Sequence, residues 1–519
     1  MKRYFNTTGP CRGEWHYMLP PNARLPDIQR FIDRQQYFVI HAPRQTGKTT
    51  AMRAIAETLR ENGVAACWAT LETARGMDDL ALAERVWLHA IRDASDELPE
   101  NWRAPDPALF KGIDPGRGLR SFLAAWAAKL SVPLVLLLDE ADVMTGNVMV
   151  SLLSQLRDGF MTRGVGRFPT SVALIGMRNL RDYLVEAKGG RPVNAGSPFN
   201  ISSGSLTLRN FDAEEVETLL AQHTAETGQA FEPGAVAELY RLTDGQPYLV
   251  NALADLCVTN LVPDSAEPIT QGHIDKAREE LILARRTHLD NLAERLKEPR
   301  VAAIVEKVLL GDDSRKIAYD SDDFQYAVDL GLVRLGRQGA EAANPIYREI
   351  LVRQLTYNLQ MSLPLPWWPW ATAAGSLDFS ALLEAFRAWW RANADALASE
   401  PSAYPEAMPH LALCAFLQRV VNGGGRVHRE FAAGRGAMDL LIEYGPDRFG
   451  VEIKRVRDRD GLETIVSSGV TQLTGYLEAL GLPSGWLVVF DVRAGRSWED
   501  RLWQREVEHR GHRITVLGA

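Results

Sequence analysis

The stretch "YFVIHAPRQTGKTTAMRAIAETL", Tyr37 to Leu59, decides the fold of the first half of the chain. It reads as a short apolar strand (Tyr37–Ile40), a turn-rich loop and an amphipathic helix beginning near Lys48. Strand, loop and helix in that order are the context required by the anion-binding pattern G-x-x-x-x-G-K-[ST]. The loop departs from it at the first position, where Ala42 replaces glycine, and keeps the working end Gly47-Lys48-Thr49. Gly47 lets the backbone approach a phosphate, and the amides at the helix start point at the anion. Lys48 neutralises the β/γ charge, and the Thr49 hydroxyl can ligate Mg²⁺. Candidate contact residues run through the loop: Ala42, Arg44, Gln45, Thr46, Gly47, Lys48, Thr49 and Thr50. The plainer alternative is a glycine-containing turn with a chance lysine.

A phosphate loop of this kind needs a second strand ending in an acid. "SVPLVLLLDEADVM" supplies it, with Asp139 as the metal partner and Glu140 as the candidate catalytic base. In a third apolar strand, "SVALIGMRNLRDYL", Arg178 or Asn179 falls where a phosphate sensor would lie, with surface salt-bridge duty as the competing role. ATP is thus the expected ligand. From about 206 to 280 the chain reads as a small helical lid, with Asp212 as an N-cap and a break at Gly245-Gln246-Pro247. Residues 281–360 read as helices with two short strands, "GLVRL" and "AEAAN", a winged-helix pattern. Asp320, Asp322, Asp323 and Asp329 before the wing would repel phosphate, which favours a packing or regulatory role over DNA binding. A linker rich in proline and tryptophan at 361–376 separates residues 1–360 from a last domain, 377–519.

At 519 residues the chain is too long for one core, and 46% hydrophobic with 24% charged residues is ordinary for a folded protein. Its start lacks the apolar core of a signal peptide, and its longest apolar run is far short of a membrane span. A cytoplasmic location without membrane partners is the expectation. The cysteines, Cys11, Cys67, Cys257 and Cys414, are scattered and indicate neither disulfides nor zinc. A net charge of −8 argues against a surface that grips nucleic acid throughout, while leaving room for a local basic channel.

Such a channel is readable around "GAMDLLIEYGPDRFGVEIK" (Gly436–Lys454). A hairpin turning at Gly445 and Pro446 sets Asp439 opposite Glu452, close enough for like charges to repel unless a cation lies between them. Lys454 shares that face, since side chains two apart on a strand point the same way. Two carboxylates and an ammonium can hold a divalent cation and steady charge on an attacked phosphate. Downstream, Gln472 and Tyr476 lie together on one face of a helix; upstream, Glu406 is a further acid, equally readable as a helix-dipole residue. Arg426, Arg429 and Arg435 precede the acids, and Arg455, Arg457 and Arg459 follow them, a rim suited to a polyanion. The alternative is a solvated hairpin with ordinary charges.

Taken together, "FNTTGPCRGEWHYMLPP", "HAPRQTGKTT", "LLLDEAD", "GQPYLVNALA", "NPIYREIL" and the hairpin resemble prokaryotic AAA-like, STAND-related P-loop ATPases fused to a C-terminal PD-(D/E)XK domain. Asp439, Glu452 and Lys454 match the D-x₁₂-E-x-K core of that superfamily, with Met438 where proline is often found, and Gln472 with Tyr476 matches its Q-x-x-x-Y element. The resemblance implies an α/β fold: a P-loop parallel sheet with a lid and winged-helix segment, then a restriction-endonuclease-like domain. It implies an ATP-controlled nuclease in prokaryotic defence or mobile-element biology, using Mg²⁺, or Mn²⁺ at the nuclease site, with nucleic acid bound by the C-terminal domain. The other reading is a STAND-type switch, a nucleotide-dependent homo-oligomer whose last domain binds nucleic acid or a partner without cutting.

Overall fold

A computed structural model describes residues 2–144, 146–163, 167–176, 202–284, 295–296, 298–309, 317–336, 339–362, 376–399, 407–421, 425–433 and 436–519. The described chain divides into two units, residues 1–292 with 316–346, and residues 293–315 with 347–519. The winged-helix segment is therefore shared between them.

In the first unit four largely apolar runs become β1 (Tyr37–His41), β2 (Ala65–Thr70), β3 (Leu134–Asp139) and β4 (Ser171–Gly176), and a polar run becomes β5 (Ser202–Thr207). They form one sheet in the order β2-β3-β4-β1-β5, with every pairing parallel. Parallel strands are covered on both faces, so they read as unbroken apolar runs. Alternate side chains serve the two faces: Tyr37, Val39, Leu134, Leu136 and Leu138 pack into one core, Phe38, Ile40, Val135 and Leu137 into the other. Around the sheet lie α1 (Ile28–Asp33), α2 (Lys48–Glu61), α3 (Leu80–Ala94), α4 (Gly118–Lys129) and α5 (Gly146–Thr162).

The stretch expected to form a lid holds four helices, α6 (Ala213–Thr227), α7 (Pro233–Thr243), α8 (Pro247–Leu256) and α9 (Gln271–Leu283). Asp212 and Glu215 form a reciprocal cap at the start of α6, each side chain accepting the other's amide at 2.9 Å. The break between α7 and α8 needs glycine. Gly245 has φ +67°, and a Cβ there would come within 1.8 Å of the Phe211 carbonyl oxygen.

α10 (Pro299–Leu309) belongs to the second unit, whereas α11 (Asp322–Asp329) and the hairpin β6 (Val333–Gly336) and β7 (Gly339–Ala342) belong to the first. Gly331, at the end of α11, lies so close to Pro43 that an added Cβ would fall 2.6 Å from the ring. α12 (Pro345–Ser362) lies almost wholly in the second unit.

The second unit continues with α13 (Phe379–Ser399), α14 (Met408–Val421), β8 (Arg426–Ala433), β9 (Gly436–Tyr444), β10 (Asp447–Val456), α15 (Leu462–Leu480), β11 (Ser484–Asp491), β12 (Gln504–His509) and β13 (His512–Gly518). Its sheet runs β12-β13-β11-β10-β9-β8 and is mixed: β10, β11 and β13 pair in parallel, and the remaining pairings are antiparallel. α15 covers one face through Val466, Val470, Leu473 and Leu477, packed with Met438, Leu487 and Val489. On α13, Phe386 and Trp390 meet Phe490 with ring centroids 6.0 and 5.6 Å apart. Gly469 lets α15 approach: a Cβ there would sit 2.8 Å from Leu487 and 3.1 Å from the stem of Lys454. None of the described helices is long and apolar enough to cross a membrane.

Candidate functional sites

The phosphate-loop candidates gather at the carboxyl ends of β1 and β3. α2 begins at Lys48 after Gly47, whose φ of +85° suits glycine, and Gln45 is also left-handed at +58°. Lys48 is buried, and its Nζ donates to the carbonyls of Ala42 and Pro43 at 2.6 and 2.9 Å. Burial lowers the Lys48 pKa, with Asp139, Asp142 and Glu140 opposing that shift. The Thr49 hydroxyl donates to Asp139 Oδ2 at 3.0 Å, so the two groups expected to share a cation already touch. Burial raises the Asp139 pKa, against donors from Thr49, the Glu140 amide and Trp68. Glu140 is held at φ +54°, a conformation that is costly for glutamate and recurs at functional sites. Its pKa is raised by burial and then by Asp142 and Asp139, which makes it a better proton acceptor than a surface glutamate.

Sequence reasoning missed several groups here. Trp68 Nε1 donates to Asp139 Oδ2 at 3.3 Å, and Arg75 lies 3.5 Å from Glu140. Arg24, buried and lowered to about 10 by burial, ties the loop to the lid: it donates to Thr46 O at 2.5 Å and to Arg209 O at 2.8 Å. Gln246, within the Gly-Gln-Pro break, reaches Gln45 O at 3.4 Å, and the Cys11 amide donates to Thr50 Oγ1 at 3.0 Å. Only Gln246 carried a signal, its place in a recognisable break; Arg24 and Trp68 are single residues in unpatterned stretches. Arg178 and Asn179 lie outside the described residues.

In the second unit the β9–β10 register runs from Asp447 with Tyr444 to Val451 with Leu440, and one further step in that register would face Glu452 with Asp439. Asp439 Oδ2 accepts the Ile453 amide at 2.7 Å. Lys454 Nζ donates to Glu452 Oε1 and Gln472 Oε1, both at 2.9 Å, and Gln472 Nε2 donates to the Tyr476 hydroxyl at 3.1 Å. Asp439, Glu452, Lys454, Gln472 and Tyr476 therefore form one cluster. Glu452 is 0% exposed, and its Oε2 has no hydrogen-bond partner among the described residues. Burial, and then the neighbouring Asp439 charge, raise the Glu452 pKa.

A buried carboxylate oxygen without a donor, beside a second carboxylate, fits a hard divalent cation, which takes oxygen ligands. Among the described residues no group of three or more His, Cys, Asp and Glu is gathered as a metal site. Glu406 and Arg435 lie outside the described residues, Arg426 is exposed at the start of β8, and Arg457 and Arg459 follow the end of β10.

Residues 32–184 match the family model described as AAA domain, and residues 123–353 match the one described as AAA-like domain. No curated protein matches the chain. Among solved structures, a Walker-type ATPase of Pyrococcus abyssi is similar at 15% identity, covering 67% of this chain and 99% of that one with a TM-score of 0.49. The Aeropyrum pernix ORC1 protein in complex with DNA aligns at 14% identity over 65% of this chain and 93% of its own, TM-score 0.35. The Thermotoga maritima RuvB Holliday junction branch migration motor aligns at 14% over 63% and 91%, TM-score 0.32. The two family-model matches together span residues 32–353, the part of the chain that holds the loop, the strand-end acid and the parallel sheet, and AAA and AAA-like ATPase domains are what that part is similar to.

Proposed function

We propose that the ATPase controls a metal-dependent nuclease site built on the β9–β10 hairpin. The observation that carries the nuclease half is the joining of Asp439, Glu452, Lys454 and Gln472 beside a carboxylate oxygen that has no partner among the described residues. Nucleic acid is the substrate class, and the arginines following β10 are its electrostatic guide. The placing of such a nuclease in prokaryotic defence or mobile-element biology rests on the family resemblance alone.

At the ATP site, Lys48 exchanges its carbonyl partners for β- and γ-phosphate oxygens, and loop residues from Ala42 to Thr50 surround the phosphates. Thr49 and Asp139 would hold Mg²⁺, which would neutralise phosphate charge. Glu140 takes a proton from the attacking water as its oxygen bonds to the γ-phosphorus and the bond to the β-phosphate oxygen breaks.

At the hairpin, Asp439 and Glu452 would hold Mg²⁺ or Mn²⁺, which would supply positive charge to the phosphate and lower the pKa of a water. Glu452 and Gln472 fix the Lys454 ammonium, and Tyr476 fixes Gln472. The ammonium would face the negative charge that develops as a water oxygen bonds to phosphorus, its proton passing to solvent, and the bond to the departing ester oxygen breaks.

A second reading, a nucleotide-dependent oligomerising switch whose last domain binds without cutting, is favoured by one observation: no three ligating groups are gathered among the described residues. Labelled DNAs and RNAs incubated with wild type and Asp439→Ala in Mg²⁺ and in Mn²⁺, with and without ATP, separate the two. Cutting lost in the variant supports the nuclease; cutting unchanged by it removes the hairpin from the chemistry.

A further inference from the structure

Asp439 has a second neighbourhood beside the β10 strand. It lines a small cavity of about 20 Å³ together with Leu309 of α10, Arg348 and Val352 of α12, and His410 and Leu411 of α14. That volume admits about one oxygen-sized group, a single water or one phosphate oxygen. Its lining is divided by chemistry. Leu309, Val352 and Leu411 are apolar, whereas Arg348 and His410, both with side-chain nitrogens, line the same space as Asp439.

These helices are pinned where they stand. Glu306 of α10 accepts the Ala407 amide at 2.9 Å, which fixes the start of α14 one turn before His410. Arg353 donates to Glu349 at 2.5 Å along α12, flanking Arg348. All of these residues belong to the second unit.

We propose that Arg348 and His410 form the phosphate-oxygen pocket of the Asp439–Glu452 site, so that α12, a helix preceding the linker, supplies part of it. This rests on the nuclease reading and adds to it the groups that seat the scissile phosphate. An arginine is suited to that task because its planar donors match phosphate oxygens, and apolar walls strengthen each donor's pull on the developing charge. Arg348 and His410 are positioning groups for the phosphate, distinct from Asp439 and Glu452, which hold the cation.

The test measures three quantities on the full chain: Mn²⁺ binding by calorimetry, binding of short fluorescein-labelled DNA and RNA strands and duplexes in Ca²⁺, and cleavage in Mn²⁺. Arg348→Ala and His410→Gln are expected to keep Mn²⁺ binding, which also reports an intact fold. They should bind the oligonucleotides about tenfold more weakly and lower kcat by about 10²-fold, the scale of a lost oxyanion donor. Arg348→Lys, which keeps the charge and loses the fork, should recover part of both. Asp439→Ala should lose Mn²⁺ binding. Wild-type oligonucleotide binding and cleavage in both Arg348→Ala and His410→Gln overturn this proposal alone, and so does a wild type that binds Mn²⁺ but no oligonucleotide. Loss of Mn²⁺ binding in Arg348→Ala and Arg348→Lys alike makes Arg348 structural, and also overturns it. Mn²⁺ binding that survives Asp439→Ala overturns the underlying metal-site reading.

Discussion

Lys48 and Lys454 both stand over a buried acid near a strand end, yet their surroundings differ. Lys48 donates to two backbone carbonyls, while its neighbour Asp139 has both oxygens engaged, Oδ1 by the Glu140 amide and Oδ2 by Thr49 and Trp68. Lys454 donates to the acid itself, and one oxygen of Glu452 has no donor among the described residues. At the first site the Asp139 carboxylate is met on both oxygens by groups that phosphate and metal can replace. The second carries an unsatisfied buried oxygen, which costs about 1–3 kcal/mol unless a proton or a cation meets it. Burial, and then the Asp439 charge, raise the Glu452 pKa.

The largest expected effect breaks the second site. Asp439→Ala should abolish divalent-metal binding and reduce cleavage by at least about 10²-fold, measured by Mn²⁺ titration and gel assay. In the first site, Glu140→Gln should keep ATP binding while hydrolysis falls by about 10²–10⁴-fold, which a nucleotide-binding titration and a phosphate-release assay check together. Equal hydrolysis by wild type and variant would remove Glu140 from the base role.

These two sites were legible in the sequence to different depths. The loop and the strand-end acid were readable because their spacing within strand, turn and helix is dictated by phosphate geometry. The Asp439–Glu452 pairing was readable because a tight hairpin fixes register by counting from Gly445. What the sequence hid depends on contacts between distant segments: Arg24 bridging Thr46 to Arg209, Trp68 on Asp139, and Arg348 and His410 beside Asp439. No local periodicity encodes such meetings. The winged-helix pattern was visible as helices and a hairpin, but not its division between two units, because that depends on packing such as Gly331 on Pro43.

The contrast can be sharpened through packing. Leu477→Ala, in the core beneath α15, should cost about 2–5 kcal/mol and lower the melting midpoint of the second unit while ATP hydrolysis is retained. Loss of both activities would show that the units do not stand independently.

The smallest effect is pH-dependent and belongs to the first unit. Burial lowers the pKa of His41, with Lys48 adding to the shift, and burial likewise lowers that of His223. A histidine whose folded pKa lies below its unfolded value binds fewer protons folded than unfolded. Stability is therefore full above the unfolded value near 6.5 and declines as pH falls toward the folded one. The melting midpoint should drop between about pH 7 and pH 5, and His41→Gln should drop less. An equal drop in both would mean that His41 contributes nothing to the acid sensitivity.

The central claim is that nucleotide state governs the hairpin site. Its most direct test is the initial rate of oligonucleotide cleavage by wild type and Lys48→Ala, each with and without ATP. The account predicts that ATP changes the wild-type rate and leaves that of Lys48→Ala unchanged. Identical rates in all four conditions would contradict the coupling, leaving an ATPase and a nuclease that share a chain and nothing else.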